Sequence, residues 1–216
     1  MFRNRDDAAR QLAERLRGRT FRDPLVLAIP RGGVVVGAVL ARELGAELDV
    51  VLARKLRAPG QPELALGAVS ETGEVYLNHH TAGCRHLIEP EVSVEREYQL
   101  HEIARRRELY RGVRPAYEVC GRSVIVTDDG LATGSTMIAA LKVVCGQHPH
   151  ELIAAVPVAP PDRLCEVREW CDEVMCLLAP PDFFAIGQHY TDFSPVEDAE
   201  VVALLGKLAT PVRATA

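Results

Sequence analysis

The chain has 216 residues, 48% of them apolar and 5% aromatic, with a formal net charge of −5. That length suits one domain with at most a small appended lobe, and the mild negative charge leaves no electrostatic case for nucleic acid as a partner. No apolar run reaches the roughly eighteen residues of a membrane span, and Met1 to Asp7 lack the apolar stretch of a secretory signal, so a cytoplasmic protein without membrane contact is expected.

Asp6 to Arg17 reads as an amphipathic helix with Ala9, Leu12, Ala13 and Leu16 on one face and Gly18 as its stop. Leu25 to Ile29 is the first core strand. It runs into Pro30-Arg31-Gly32-Gly33, then into a helix from Val34 to Leu44 closed by Gly45. Glycines at such a turn allow backbone that other residues resist, and Arg31 can fork onto a phosphate. Alone, this run reads better as a tight turn with a solvated arginine. Leu48 to Ala53 is the next strand, with Arg54 and Lys55 at its end. Leu56 to Glu63 holds Pro59, Gly60 and Pro62 and few packing residues, which predicts a mobile loop. Ala65 to Ser70 and Glu74 to Leu77 predict a hairpin around Thr72-Gly73. His79 and His80 are adjacent, which is poor metal spacing, and read as surface or capping residues.

Glu89 to Tyr110 gives the strongest helix signal, with a narrow apolar stripe that includes Val94, Tyr98, Ile103 and Leu109. Its run Arg105-Arg106-Arg107 is interleaved with Glu97, Glu102 and Glu108, so it reads as a solvated face rather than a nucleic-acid contact. This helix would pack as part of a hood or as a dimer contact, and a homodimer is the expected assembly. Six cysteines form no C-x-x-C pair. Cys120, Cys145 and Cys176 sit in apolar settings and read as small buried hydrophobes in a reducing compartment. The spacing of Cys165, Cys171 and Cys176 fits no common zinc pattern.

The central signal follows. Val124 to Thr127 is a β-branched strand ending in Asp128 and Asp129; Gly130 to Thr136 is a loop of small residues; Ile138 to Val144 continues as an apolar helix. Ligands of open α/β sheets bind at that end of a strand. Gly130 and Gly134 allow a tight turn, Thr133, Ser135 and Thr136 supply hydroxyls, and the helix start offers unpaired N–H groups. Together they make an anion cup. Asp128 and Asp129 are acceptors, suited to sugar hydroxyls or to a hydrated Mg2+ held mainly by the ligand's phosphates. The spacing is not that of a Walker A loop, which needs a lysine absent here. Asp128-Asp129-Gly130-Leu131-Ala132-Thr133-Gly134-Ser135-Thr136 resembles, without a gap, the phosphoribosyl pyrophosphate (PRPP) motif of the type I phosphoribosyltransferases.

Beyond the motif, Glu151 to Pro157 is a strand, Pro160-Pro161 opens a helix to Trp170, and Asp172 to Leu178 is a further strand. The β-α-β order predicts an α/β fold with a mostly parallel twisted sheet flanked by helices. Residues 180–193 form the most aromatic stretch, suited to a flat heterocycle or to packing as a flap. Val196 to Leu208 is a closing helix, and Thr210 to Ala216 should fray.

The family resemblance implies roles. Ala132, Thr133, Gly134, Ser135 and Thr136 would hold the 5′-phosphate. Arg31, Gly32 and Gly33, in a loop that commonly holds a cis peptide, would bind pyrophosphate together with Lys55, with Arg54 the second choice. Asp128, Asp129 and Arg31 would be catalytic, and the two aspartates would meet Mg2+ indirectly. The loop at 56–63 would close as a lid. The stretch 180–193 resembles the base-binding hood of hypoxanthine-guanine enzymes, with Phe184 stacking on the base and the Ala185 backbone contacting it. Two departures are visible. Ala132 stands where those enzymes carry an aspartate that takes the base's proton, a form closer to adenine and uracil enzymes. Met175, Cys176 and Leu177 stand where their purine-reading lysine would be. The expected reaction is transfer of the phosphoribosyl group to a base, a purine before a pyrimidine, with PRPP and a small acceptor as partners. The alternative is a PRPP- or nucleotide-binding regulator of the same fold. The expected organisation is a single domain over 1–216, with 56–115 as an insertion and 179–194 as the hood.

Overall fold

In a computed structural model that describes residues 1–58, 61–77 and 85–207, apolar strands alternate with helices for most of the chain. The order is α1 (Arg5–Leu16), β1 (Leu25–Ala28), α2 (Gly32–Leu44), β2 (Glu47–Val50), β3 (Ala53–Ala58), β4 (Gln61–Ser70), β5 (Val75–Leu77) and α3 (Arg85–Arg111). It continues with β6 (Ser123–Thr127), α4 (Ser135–Cys145), β7 (Glu151–Val158), α5 (Pro161–Arg168), β8 (Glu173–Leu178), a short 3-10 turn (Ile186–His189) and α6 (Asp198–Lys207).

Five strands form one parallel sheet in the order β2-β1-β6-β7-β8. Its inner strands are buried on both faces, which explains their near-continuous apolar runs. Val26, Ala28, Ile125, Ile153 and Ala155 face one core with α1, α2 and α6. Leu25, Leu27, Val124, Val126, Leu152 and Ala154 face the other with α4 and α5. The β-α-β reading is borne out: the family's fold class, a mostly parallel sheet flanked by helices, is the fold observed.

A second, antiparallel sheet, β3-β4-β5, packs with α3 and α4. This corrects the expected lid. Residues 56–58 and 61–63 belong to β3 and β4, paired from Ala53↔Ser70 to Ala58↔Gln61 with register shifts at Arg57. Leu56, Ala68 and Val69 are fully buried, and that burial holds the segment in strand form despite its turn-like composition. Pro59 and Gly60, like His79, His80, Cys84 and Thr210 to Ala216, lie outside the described residues. The second core strand also ends earlier than expected, at Val50, so Arg54 and Lys55 stand within β3. Cys120 and Cys145 are exposed rather than buried, because one lies in the turn before β6 and the other ends α4. Cys176 is half-buried, and burial pushes its thiol up to about 11.

One buried charge ties this second layer to the first. Asp49 on β2 is 1% exposed. It accepts from Arg111 Nη1 at 2.7 Å and from the Tyr117 N–H at 3.0 Å. Arg111, at the end of α3, also donates to Glu71 at 2.6 Å in the β4–β5 turn and to the Val50 carbonyl. Burial pushes the Asp49 carboxyl above its ordinary range, and Arg111 opposes that shift. Breaking a buried pair by removing one partner typically costs about 3–5 kcal/mol, because the other charge stays buried. Arg111→Ala should therefore destabilise the protein by about that amount in chemical denaturation. A loss near zero would mean that Asp49 is held without Arg111.

Candidate active site

The strand order places the site. The order in which strands are added reverses between the parallel neighbours β1 and β6: β1 leads through α2 to β2 on one side, and β6 through α4 to β7 on the other. A crevice opens at such a switch point, beyond the carboxyl ends of the strands. The two loops that resemble phosphoribosyltransferase loops flank it.

The first loop, after β1, is anchored by the Ile29 N–H on the Thr127 carbonyl at 2.9 Å. Its Pro30–Arg31 peptide is cis. A Cβ on Gly32 would lie 1.9 Å from Asp129 Oδ2, and one on Gly33 would lie 2.9 Å from the Asp128 Cα. Only glycine lets the loops meet this closely. Arg31 is partly exposed and pairs with Glu197 at 3.0 Å, just ahead of α6.

The second loop, after β6, carries the acidic pair. Asp128 Oδ1 accepts the Asp129 N–H at 2.8 Å. Asp129 Oδ2 accepts Arg5 Nε at 2.8 Å, and the Asp129 carbonyl accepts the Tyr190 hydroxyl at 2.7 Å. Position at a strand end would leave both aspartates facing water. Instead Asp128 is only partly exposed and Asp129 is 8% exposed, because the hood and α1 cover them. Burial, joined by the charge of Asp129, holds the Asp128 carboxyl well above the usual carboxylate range. Burial also raises Asp129, against the pull of Arg5.

The rest of that loop is built as an anion cup. Gly134 sits at φ 74° and supplies no side chain to cap α4. The Thr133 and Ser135 hydroxyls are 2.9 Å apart, and Ala132, Thr133 and Thr136 are exposed. Unpaired N–H groups at a helix start favour an anion. Ser135, Thr136 and Pro30 line a cleft of about 240 Å3 with Lys55, Arg54 and Arg106. The structure thus brings Lys55 to the anion cup from β3 rather than from the end of β2.

The hood is fastened by the first residues of the chain. The Phe2 N–H donates to the His189 carbonyl, the Thr191 N–H to Phe2 and the Asp192 N–H to Arg3, at 2.8 to 2.9 Å. Phe2 packs tilted on Tyr190 at a ring separation of 5.3 Å, and Tyr190 stacks on Phe193 at 5.0 Å. Ile186 covers Gly130, where a Cβ would lie 2.7 Å from the Ile186 side chain. These aromatic rings pack the hood rather than face a ligand. Phe184 differs, being 89% exposed. The Ala185 N–H donates to Gln188 Oε1 at 3.4 Å.

Three participants have no distinguishing signal in the sequence. Arg5 lies 124 positions from Asp129, Tyr190 reads only as part of an aromatic run, and Arg106 as part of a solvated face. Among the described residues no group of three or more His, Cys, Asp or Glu could hold a metal by itself.

The acidic pair makes its own prediction. Asp129→Asn leaves the Arg5 guanidinium without a counter-charge and should cost about 1–3 kcal/mol. Asp128→Asn removes like-charge repulsion and should cost under about 0.5 kcal/mol or stabilise. The sign of the pH effect follows from the raised Asp128 carboxyl. The native state keeps a proton that the unfolded chain has lost, so stability falls as pH rises from the ordinary carboxylate range through the raised value. Thermal melts across that range should show the fall in the parent protein and a shallower one in Asp128→Asn.

Comparison with known proteins agrees with this geometry. The family model for the phosphoribosyl transferase domain matches residues 3–192. Proteins of Mycobacterium tuberculosis strains H37Rv and CDC 1551, both provisionally named phosphoribosyl transferases, are 41% identical over 207 residues. The match covers 96% of this chain and 47% of those proteins, so the chain spans about half the length of the curated relatives it matches. The crystal structure of TT1426 from Thermus thermophilus superposes with a TM-score of 0.92 at 44% identity, covering 97% of this chain and 99% of that one. With the family model spanning the loops after β1 and β6, the acidic pair and most of the hood, the chain belongs to the phosphoribosyl transferase domain family.

Proposed function

We propose that this chain transfers the 5-phosphoribosyl group of PRPP to a nitrogen of a nucleobase, a purine in preference to a pyrimidine, and releases pyrophosphate. The observation that carries this reading is the meeting of two unlike loops at the switch point. An open helix start with hydroxyls suits a phosphate, and two carboxylates lie against a glycine-arginine turn. A phosphate cup beside acceptors for sugar hydroxyls fits a phosphorylated ribose.

In this reading Thr133, Gly134, Ser135 and Thr136, with the Ala132 backbone, hold the 5′-phosphate. Asp128 and Asp129 receive ribose hydroxyls and offset positive charge that builds on the ring. Arg31 and Lys55, with Gly32 and Gly33 giving room, stabilise the departing pyrophosphate. The contribution is mainly positional and electrostatic. The donor set fits Mg2+ held through the ligand. Two carboxylates flank the site, and a hard cation that keeps most of its water needs only one or two of them plus phosphates. When bound, Mg2+ would neutralise pyrophosphate charge. Phe184, the exposed aromatic of the hood, is the base stacker in this scheme, with the Ala185 backbone at the base edge. We read 1–216 as one such domain in a cytoplasmic homodimer, with 56–115 inserted and 179–194 as the hood.

The second reading, a PRPP- or nucleotide-binding regulator of the same fold, is favoured by Ala132, which cannot act as a base. The two differ in turnover. Calorimetry with PRPP and Mg2+ should show binding, and Asp128→Asn should weaken it by at least tenfold. Pyrophosphate release should then appear with one base of a panel. Binding without release for any base would favour the regulator, and no binding of PRPP would remove the transferase and leave only a nucleotide-binding regulator.

A further inference from the structure

We propose that Arg5 is a positioning residue for ribose binding: from α1 it clamps the hood to the Asp129 carboxylate. The proposal rests on the reading of Asp128 and Asp129 as the ribose site. Four contacts carry it. Arg5 Nε donates to Asp129 Oδ2 at 2.8 Å, and both side chains are only 11% exposed. Arg5 Nη1 donates to the Ser194 carbonyl at 2.8 Å, at the end of the hood. The guanidinium carbon lies 3.9 Å from the centre of the Phe193 ring. A Cβ on Gly32 would lie 3.1 Å from Arg5 Nε, so the arginine also abuts the glycine-arginine turn.

One side chain therefore touches the acidic pair, the hood and the first loop at once. A guanidinium can do this because it is planar and forked: one edge serves a carboxylate, another a carbonyl, and the face takes an aromatic ring. Lysine offers a single point charge and cannot reproduce all three. The same oxygen cannot turn freely toward a ligand while Arg5 holds it. Asp129 therefore presents its other oxygen in a fixed direction, and the Tyr190 hydroxyl on its carbonyl fixes the backbone behind it. The aim of the carboxylate then depends on one residue outside both loops, and the same residue adds to the backbone bonds that hold the hood over the crevice.

The test compares Arg5→Ala, Arg5→Lys and Phe193→Ala with the parent chain and with Arg3→Ala, whose exposed arginine pairs only with Asp7 among the described contacts. Binding of PRPP with Mg2+ is read by calorimetry at a temperature where circular dichroism shows each variant folded. Arg5→Ala should weaken PRPP binding at least tenfold, Arg5→Lys and Phe193→Ala should fall between it and the parent, and Arg3→Ala should match the parent. Millimolar guanidinium should restore part of the Arg5→Ala loss, which a merely structural defect would not show. Unchanged affinity in folded Arg5→Ala overturns the inference alone. Tighter binding also overturns it, by making Arg5 a competitor for the carboxylate. Absence of PRPP binding in the parent overturns this inference together with the function it rests on. Should Arg5→Ala fail to fold, Phe193→Ala decides: parent-like affinity there overturns the hood clamp, and weakened affinity supports it.

Discussion

The site depends on β1 lying beside β6 in parallel, with Ala28 opposite Thr127. That pairing brings two strand ends level and sends their helices to opposite sides. The loops that leave them have no room to separate. Gly32 and Gly33 press against Asp129 and Asp128 closely enough that a Cβ at Gly32 would overlap a carboxylate oxygen. The acidic pair, the glycine-arginine turn and the open helix start are therefore one object, although about a hundred residues separate their segments in the chain.

Two charged clusters attach the outer layers to this centre. Asp49, Arg111 and Glu71 hold α3 and the antiparallel sheet against β2. That layer carries Lys55 and Arg106 to the cleft beside Ser135 and Thr136. On the other side, Arg5 and Asp129 hold α1 and the hood against β6. Each cluster puts a carboxylate where solvation alone would not sustain its charge, and each meets that cost with an arginine from another element. Burial raises both carboxyls, and the arginines limit the rise.

The hood shows how one aromatic run divides its work. Tyr190 stacks on Phe193 and packs tilted against Phe2, and Phe183 lies 5.3 Å from the His189 ring. Only Phe184 among these rings stands in solvent. In the sequence Phe183, Phe184, Tyr190 and Phe193 belong to one aromatic run. Packing, which composition cannot apportion, decides which are spent on holding the loop in place.

Local pattern determined much of the protein. The β-branched run before Asp128 forms a strand because burial on both faces rewards it, and the small residues after it can only turn and open a helix. The order of strands and helices set the parallel sheet, and the acidic pair with its T-G-S-T loop marked the family. These features are legible because each is written within a few consecutive residues. Residues 56–58 and 61–63 have the composition of a loop and form strands, since the burial of Leu56 and Val69 outweighs the local sequence preference. Asp128 and Asp129 stand at a strand end and are still covered, since what covers them comes from the chain's first helix and the stretch near its last. Arg5 carries no local signal, because its role is a distance to a residue 124 positions away. The sequence by itself determined the order of strands and helices and which segments carry the family's motif. Tertiary structure alone decided how deeply the carboxylates sit, which arginine faces them and which aromatic stays free, because those are outcomes of long-range packing and desolvation.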